Sequence, residues 1–188
     1  EEEREEYNKK LKELEQLKEK GKDFAVLGAI VKLQQIVSAS QNRIECLKSI
    51  INCRPIIFYK FDKEAELIKK EFDYPILNGK TKKKDFDKII EDYNNYQIDG
   101  IIINQALATG FDLGIAEQII FYSSLFDVIS KNQATDRAMS MFNDTVLDCI
   151  EIYCKNSIDE QILKVIERKE NIKTAFYKEM QRLKEEEK

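Results

Sequence analysis

Three groups of residues in this chain have the types and spacing needed to bind phosphate. The first is the run 78–81, Asn-Gly-Lys-Thr, which continues into three lysines at 82–84. The second is the loop 104–113, which carries a single glycine and a threonine. The third pairs Gln133 with Arg137, four residues apart and therefore neighbours on one helix face. Glycine lets a backbone approach phosphate closely, hydroxyl groups donate hydrogen bonds, and lysine and arginine neutralise the charge.

Each group also has a simpler interpretation. The lysines could form a solvated cluster, which their charge alone favours. Gly110 could do no more than permit a turn before a short helix. Arg137 could be a surface residue paired with Asp136 or Glu117, an interaction of little energy. The surrounding fold must therefore show whether the three groups share one site.

The pattern around these groups predicts alternating strands and helices. Apolar runs typical of strands covered on both faces occur at 56–59, 75–77, 101–103, 118–122 and 147–153. Amphipathic helices are predicted at 63–72, 82–93 and 130–141. This order predicts a three-layer α/β fold with a mostly parallel sheet of about five or more strands. In such a sheet ligands bind beyond the carboxyl ends of the strands, where all three groups fall.

Helices are predicted on either side of this region. Residues 1–52 should form three helices, and the narrow stripe on the first should pack on another domain: Tyr7, Leu11, Leu14 and Leu17. A capping box, Ser157-Ile-Asp-Glu160, should open one long charged C-terminal helix. The expected organisation is thus a helical extension at 1–52, an α/β domain at 53–156 and a brace helix at 157–188.

Composition excludes several classes of protein. The chain has no His, a net charge of −4 and 43% apolar residues, with no apolar run long enough for a membrane span. No signal peptide precedes the first helix, and the chain starts at Glu1 without Met, so we expect part of a longer cytoplasmic protein from a bacterium or a phage-infected cell.

Four cysteines should be reduced, buried thiols: Cys46, Cys53, Cys149 and Cys154. Neither a phosphate-binding Gly-x-x-x-x-Gly-Lys-Ser/Thr loop nor a Gly-x-Gly-x-x-Gly dinucleotide loop occurs.

The order of the second and third groups resembles the last two motifs of the Swi/Snf-like branch of superfamily-two helicases. There a loop of the type Gly-x-Gly-Leu-Asn-Leu is followed by Gln-x-x-x-Arg-x-x-Arg. Gly110, Gln133 and Arg137 match this pattern, and Asp112 stands where Asn is usual. The chain departs from it at Leu107 and Ala108, which replace two glycines, and at Ser140, which replaces the second arginine. The segment Phe121-Tyr122-Ser-Ser and Gln105 look closest to phage and mobile-element members.

The resemblance implies a C-terminal RecA-like lobe of a DNA-dependent ATPase. Arg137, with Gln133, would face the ATP phosphates as the catalytic pair, and Thr109, Gly110 and Asp112 would meet nucleotide and DNA phosphate. Contacts with the DNA backbone, independent of base sequence, are implied for Gly79, Lys80, Thr81, Lys82, Lys83, Lys60 and Gln105. ATP and Mg²⁺ would be bound mainly by a first RecA-like lobe of the same polypeptide, and this chain should hold no metal of its own.

Two hypotheses about function follow from this resemblance. The first is the second motor lobe of an ATP-dependent DNA translocase or helicase, inactive when isolated as these 188 residues. The alternative is a RecA-like module that has lost turnover and acts as a nucleic-acid or protein interaction domain. The missing second arginine at Ser140 favours slow or absent hydrolysis, since one such group typically contributes about 10²–10³ in rate.

Overall fold

The central feature of the protein is a parallel five-stranded sheet. The computed structural model describes residues 2–18, 23–52, 54–107, 116–123 and 147–186. Within them lie β1 (Pro55–Tyr59), β2 (Ile76–Leu77), β3 (Ile101–Asn104), β4 (Gln118–Phe121) and β5 (Asp148–Glu151). The strand order is β2-β3-β1-β4-β5, and each neighbouring pair is parallel. The prediction of a mostly parallel sheet of about five strands is confirmed.

Seven helices lie in the described part of the chain. They are α1 (Glu2–Lys18), α2 (Asp23–Ser38), α3 (Gln41–Ile50), α4 (Asp62–Phe72), α5 (Lys83–Asn94), α6 (Ile158–Glu167) and α7 (Lys173–Glu186), with a short 3-10 turn at Gln105–Leu107. The helices predicted at 63–72 and 82–93 agree with α4 and α5 to within one residue at each end. The helix predicted at 130–141 lies outside the described residues.

One face of the sheet is covered by α5. Residues that alternate along the strands, such as Ile56, Phe58 and Ile101, share this face with Tyr93 of α5 in one buried cluster. Phe58 and Phe121 stack there with ring centroids 5.3 Å apart. Parallel pairing aligns Ile56 with Ile101 and with Ile119, so the apolar side chains of neighbouring strands meet.

The opposite face is covered by α3 and α4. Ile57 and Ile102 of the sheet cluster with Leu47 of α3 and Ile68 of α4, all 0% exposed. Helices on both faces confirm the three-layer architecture. Residues Gln41–Ile152 accordingly form one compact unit that includes α3. The sequence-based boundary at residue 52 had separated α3 from the sheet that it covers.

The second compact unit joins the two ends of the chain. It consists of Glu1–Ser40 together with Tyr153–Lys188, and its described helices are α1, α2, α6 and α7. Tyr7, Leu11 and Leu14 are at most 5% exposed. The expectation that this stripe packs on another domain is therefore wrong for these three residues. The C-terminal helices supply the apolar partners that the N-terminal segment lacks by itself.

A buried polar cluster holds α1 to the C-terminal helices. The Tyr7 hydroxyl donates to Glu179 Oε1 at 2.9 Å and accepts from the Ile158 N–H at 2.7 Å. Arg182 donates to both carboxylate oxygens of Glu179, at 2.7 and 3.0 Å. Burial, together with the Glu179 carboxylate, raises the pKa of Tyr7 well above 10.0. The phenol therefore keeps its proton and remains a donor.

The C-terminal segment forms two helices rather than the expected single one. At the end of α6, Lys169 adopts a left-handed conformation with φ 55°. Its N–H donates to Ile166 O, and the N–H of Glu170 donates to Val165 O, which is a Schellman ending. Asn171 Oδ1 then accepts from the Lys173 N–H at the start of α7. The predicted start is confirmed, since Ser157 caps α6 by accepting from the Asp159 N–H.

The three described cysteines differ from the expectation of buried thiols, and Cys53 lies outside the described residues. Cys46 and Cys149 are exposed, and Cys154 is half-buried. Cys46 lies beside buried Ile44 and Leu47 on α3 but outside their apolar face, and Cys149 belongs to the edge strand β5.

No helix among the described residues is both long and apolar enough to span a bilayer.

Candidate functional site

Four described segments meet at the carboxyl edge of the sheet, since all its strands are parallel. They are residues 60–61 after β1, 78–83 after β2, 104–107 after β3 and 122–123 after β4. Neighbouring strands are about 4.8 Å apart, so the segments after β2 and β1, two strands apart, are separated by about 10 Å. This edge thus holds every described residue for which a DNA contact was predicted: Gly79, Lys80, Thr81, Lys82, Lys83, Lys60 and Gln105.

The turn after β2 is fixed by its own hydrogen bonds. The Asn78 N–H donates to Thr81 Oγ1, and the Thr81 N–H donates to Asn78 O, both at 3.0 Å. Asn78 Oδ1 accepts from the Lys80 N–H at 2.9 Å, which forms an Asx turn. The Thr81 hydroxyl accepts in this arrangement, which leaves its own proton for an outside acceptor.

Gly79 is the exception within this turn. In the described part of the chain its N–H has no hydrogen-bond partner. Its φ lies outside the left-handed region, and a Cβ built on it would meet nothing within 4 Å. Neither backbone strain nor packing therefore requires glycine here. The turn presents a backbone donor beside open space.

Helix α5 begins next to this turn with an unusual charge arrangement. Lys82 is the N-cap residue, and no side chain caps the helix. Lys82, Lys83 and Lys84 are exposed, and Asp85 is the only acidic residue in the first turn. Cations at the positive end of the helix dipole cost helix stability, and the first N–H groups lack acceptors inside the helix. A bound phosphate would satisfy these donors and offset the repulsion.

The loop after β1 offers less to a ligand. The backbone N–H groups of Lys60 and Phe61 both donate to Glu64 Oε2, at 2.8 and 3.2 Å. The Lys60 ammonium lies 5.4 Å from the centroid of the Phe61 ring. A phosphate at this loop would therefore meet the Lys60 side chain rather than the backbone donors.

A buried polar cluster joins the ends of β1, β3 and β4, and we call it the Ser123 node: Arg43, Glu64, Gln105 and Ser123. The Ser123 hydroxyl donates to Glu64 Oε1 at 2.6 Å and accepts from Arg43 Nη1 at 3.3 Å. Arg43 also donates to Tyr122 O at 2.5 Å, and Gln105 Nε2 donates to Ser123 O at 2.8 Å. Each member is at most 8% exposed.

The position of Gln105 bears on its predicted role. Its side chain is buried and its amide nitrogen is committed to the Ser123 carbonyl. The amide nitrogen carries a second N–H, so the bond to Ser123 does not by itself exclude a contact with DNA. Gln105 thus takes part in the internal bonding of this edge, and its contact with DNA stays a prediction.

Sequence reasoning missed the other members of the Ser123 node. Two weak signals were present. Arg43 interrupts the apolar face that Ile44 and Leu47 continue on α3, and Glu64 lies three residues after the N-cap of α4. Neither signal identifies Ser123 as the partner, because a local sequence pattern does not reveal which distant segments the sheet brings together.

The predicted nucleotide contacts fall outside the described residues. These are Gln133, Arg137, Thr109, Gly110 and Asp112, together with Ala108 and Ser140, where the chain departs from the helicase pattern. Within the described residues, no group of three or more Cys, Asp or Glu side chains could hold a metal ion.

Comparisons with known proteins agree with this architecture. Residues 40–141 match the family model described as helicase conserved C-terminal domain. An uncharacterized ATP-dependent helicase of Mycoplasma pneumoniae is 27% identical over 190 residues, which cover 89% of this chain and 18% of that protein. A putative SWI/SNF-related matrix-associated actin-dependent regulator of chromatin, subfamily A member 3-like 1, of Arabidopsis thaliana is 22% identical over 167 residues, or 80% of this chain and 19% of that protein. The chain thus spans about a fifth of the length of each.

A solved structure shows the same fold. The Sulfolobus solfataricus SWI2/SNF2 ATPase core in complex with dsDNA superposes with a TM-score of 0.71 and 20% identity, over 88% of this chain and 41% of that one. The family match covers more than half of the chain, and its residues include all the segments of the carboxyl edge. The chain belongs to the helicase conserved C-terminal domain family, and the resemblance to the C-terminal RecA-like lobe of Swi/Snf-like superfamily-two helicases is confirmed.

Proposed function

We propose that this chain is the second motor lobe of an ATP-dependent DNA translocase or helicase. The observation that carries the proposal is the Gly79 turn, which leads into the uncapped, lysine-bearing start of α5 at the carboxyl edge of a helicase-family sheet. The relative in Mycoplasma pneumoniae is named an ATP-dependent helicase, and the Sulfolobus core was solved with dsDNA. Both names support nucleotide use, and the second also supports a duplex DNA partner.

In this proposal the two lobes divide the work. A first lobe of the same polypeptide would bind most of the ATP and its Mg²⁺, because this chain lacks a phosphate-binding loop. The present lobe would contribute Arg137 to the nucleotide and the Gly79–Lys83 surface to the DNA backbone. Binding through phosphates is independent of base sequence.

Replacing Lys80, Lys82 and Lys83 together by Ala is expected to weaken binding of duplex DNA and to reduce its salt dependence. The plot of log affinity against log salt concentration has a negative slope, and each lost phosphate contact should reduce the magnitude of that slope by roughly 0.9. Fluorescence anisotropy with a labelled duplex at several salt concentrations measures this slope. An unchanged slope would mean that the three lysines are only a solvated cluster.

The matched control replaces Lys48, Lys69 and Lys70 by Ala, which removes the same charge. These residues lie in the last turns of α3 and α4, away from the carboxyl edge, because each helix ends shortly before a strand begins. The slope should stay near that of the parent protein. An equal loss in both triple variants would indicate a general charge effect rather than a DNA surface.

The Gly79→Ala variant distinguishes an effect on DNA binding from an effect on stability. Because the methyl group meets nothing within 4 Å, the variant should be as stable as the parent, or more stable by about 0.4–1 kcal/mol. The methyl group would occupy the open space beside the Gly79 N–H and keep a phosphate from approaching that donor closely, which should weaken DNA binding by about tenfold. Gly28→Ala is the control, since its Cβ also meets nothing within 4 Å and it lies in α2. Parent-like DNA affinity in Gly79→Ala would remove this turn from the proposed surface.

The alternative is a RecA-like interaction module without turnover. The departures that favour it are Ser140, in place of an arginine, and Leu107 and Ala108, in place of glycines. The two functions differ in whether the complete polypeptide carries a phosphate-binding loop and releases phosphate from ATP in the presence of DNA. DNA binding without such turnover would support the interaction module.

A further inference from the structure

The inference starts from the environment of Glu64, which is 1% exposed. One of its oxygens accepts from the backbone N–H groups of Lys60 and Phe61, and the other accepts from the Ser123 hydroxyl at 2.6 Å. A carboxylate removed from water needs such bonds to compensate for its lost hydration. All three donors belong to loops at the carboxyl edge of the sheet.

Helix capping explains only part of this arrangement. A glutamate three residues into a helix commonly reaches back to the N-cap N–H, which here belongs to Phe61. Capping requires neither the second bond to Lys60 nor the bond to Ser123, which lies 59 residues further along the chain. It does not require burial of the carboxylate either. The additional bonds connect the loop after β1 to the end of β4.

Ser123 is the point where several segments converge. Its hydroxyl bonds to Glu64 and Arg43, and its carbonyl accepts from Gln105 in the loop after β3. In sequence, the chain continues from Ser123 towards Gln133 and Arg137, and the loop after β3 continues towards Gly110. The Ser123 node therefore holds the described starts of two segments predicted to face nucleotide, and it holds the loop that carries Lys60.

We propose that Glu64 and Ser123 are positioning residues that couple DNA contact to ATP turnover. This inference rests on the proposed function. When DNA phosphate contacts Lys60, it restricts the position of the loop after β1. The hydrogen bond between Glu64 and Ser123 carries this restriction to the chain beyond β4. Neither residue touches DNA or nucleotide, so breaking the bond uncouples the two events without removing a ligand contact.

The test compares ATPase rates of the two-lobed protein with saturating duplex DNA and without DNA. Ser123→Ala removes the hydroxyl, and Glu64→Gln replaces the acceptor facing it by an amide that cannot both receive that proton and keep the two backbone bonds. Each variant should lower the ratio of the two rates by about fivefold or more. Two variants are used so that a folding defect in one does not decide the outcome.

Ile68→Val is the control for a purely structural effect. Ile68 is 0% exposed in α4, one turn beyond Glu64, but belongs to the apolar cluster under the sheet. It should lower the melting temperature while keeping the parent ratio of rates. If Ile68→Val lowers the ratio as much as Ser123→Ala at a similar melting temperature, general destabilisation explains the effect and the coupling proposal is wrong.

The remaining outcomes separate this inference from the function on which it rests. A parent protein whose ATPase rate does not respond to DNA overturns both. A parent that responds, with parent-like ratios in Ser123→Ala and Glu64→Gln, overturns the coupling role alone. A reduced ratio in both variants and not in Ile68→Val supports it.

Discussion

The Arg137→Ala variant of the two-lobed protein is expected to hydrolyse ATP about 10³-fold or more slowly than the parent at saturating DNA. A guanidinium facing the transferred phosphoryl group stabilises the charge that develops there, and alanine leaves this charge without that partner. Steady-state phosphate release measures the effect. Binding of duplex DNA should persist, because the proposed DNA surface lies at Gly79–Lys83.

Arg168→Ala is a suitable control, since this exposed arginine follows α6 and lies outside the family match. Its turnover should equal that of the parent. A parent-like rate in Arg137→Ala would place the arginine away from the nucleotide. Hydrolysis of ATP by the isolated 188-residue chain, abolished by Arg137→Ala, would contradict the division of work between two lobes.

Glu179→Ala is expected to lower the free energy of unfolding of the helical unit, which is Glu1–Ser40 together with Tyr153–Lys188, by about 1–3 kcal/mol. Glu179 is 0% exposed and accepts from Tyr7 and from two nitrogens of Arg182. Its removal takes the acceptor from the buried Tyr7 hydroxyl and the bidentate partner from Arg182, which keeps only its ion pair with Glu186. Urea titration followed by circular dichroism measures the loss.

The control for this experiment is Glu13→Ala on α1. Glu13 forms an exposed pair with Lys10 at 2.7 Å, and solvent screens such pairs. Its removal should leave the unfolding transition nearly unchanged. If Glu179→Ala unfolds at the same urea concentration as Glu13→Ala, the Tyr7–Glu179–Arg182 cluster does not stabilise the helical unit.

The sheet could be predicted from sequence because its signal is local. Continuous apolar runs such as Ile101-Ile102-Ile103 are typical of strands covered on both faces, and their alternation with amphipathic helices implies parallel pairing. The helical unit was less predictable. Tyr7 and Glu179 are separated by 172 positions, and nothing in either local pattern specifies that they meet. The stripe on α1 was therefore assigned to an absent domain.

The candidate site was likewise predictable from sequence only in part. The turn at Asn78–Thr81 follows from turn-forming residues after a strand, and its position after β2 is confirmed. The amino-acid type alone does not show whether Gly79 is needed for its backbone conformation or for the access of a ligand. The answer depends on its φ angle and on the neighbouring atoms. For Gln105 the resemblance implied a contact with DNA, whereas its burial and its bond to the Ser123 carbonyl depend on long-range packing that its local sequence does not specify.

The division of the chain into two units also bears on how the protein can be recombined. The family match at 40–141 falls almost entirely in the unit Gln41–Ile152, whereas the helical unit is assembled from both termini. Topologically, the sheet unit is thus a guest inserted into a helical host at Ser40 and Ile152. A chimaera that exchanges this guest with a homologous helicase lobe would transfer its carboxyl edge intact, while deletion of either terminus would leave the host incomplete.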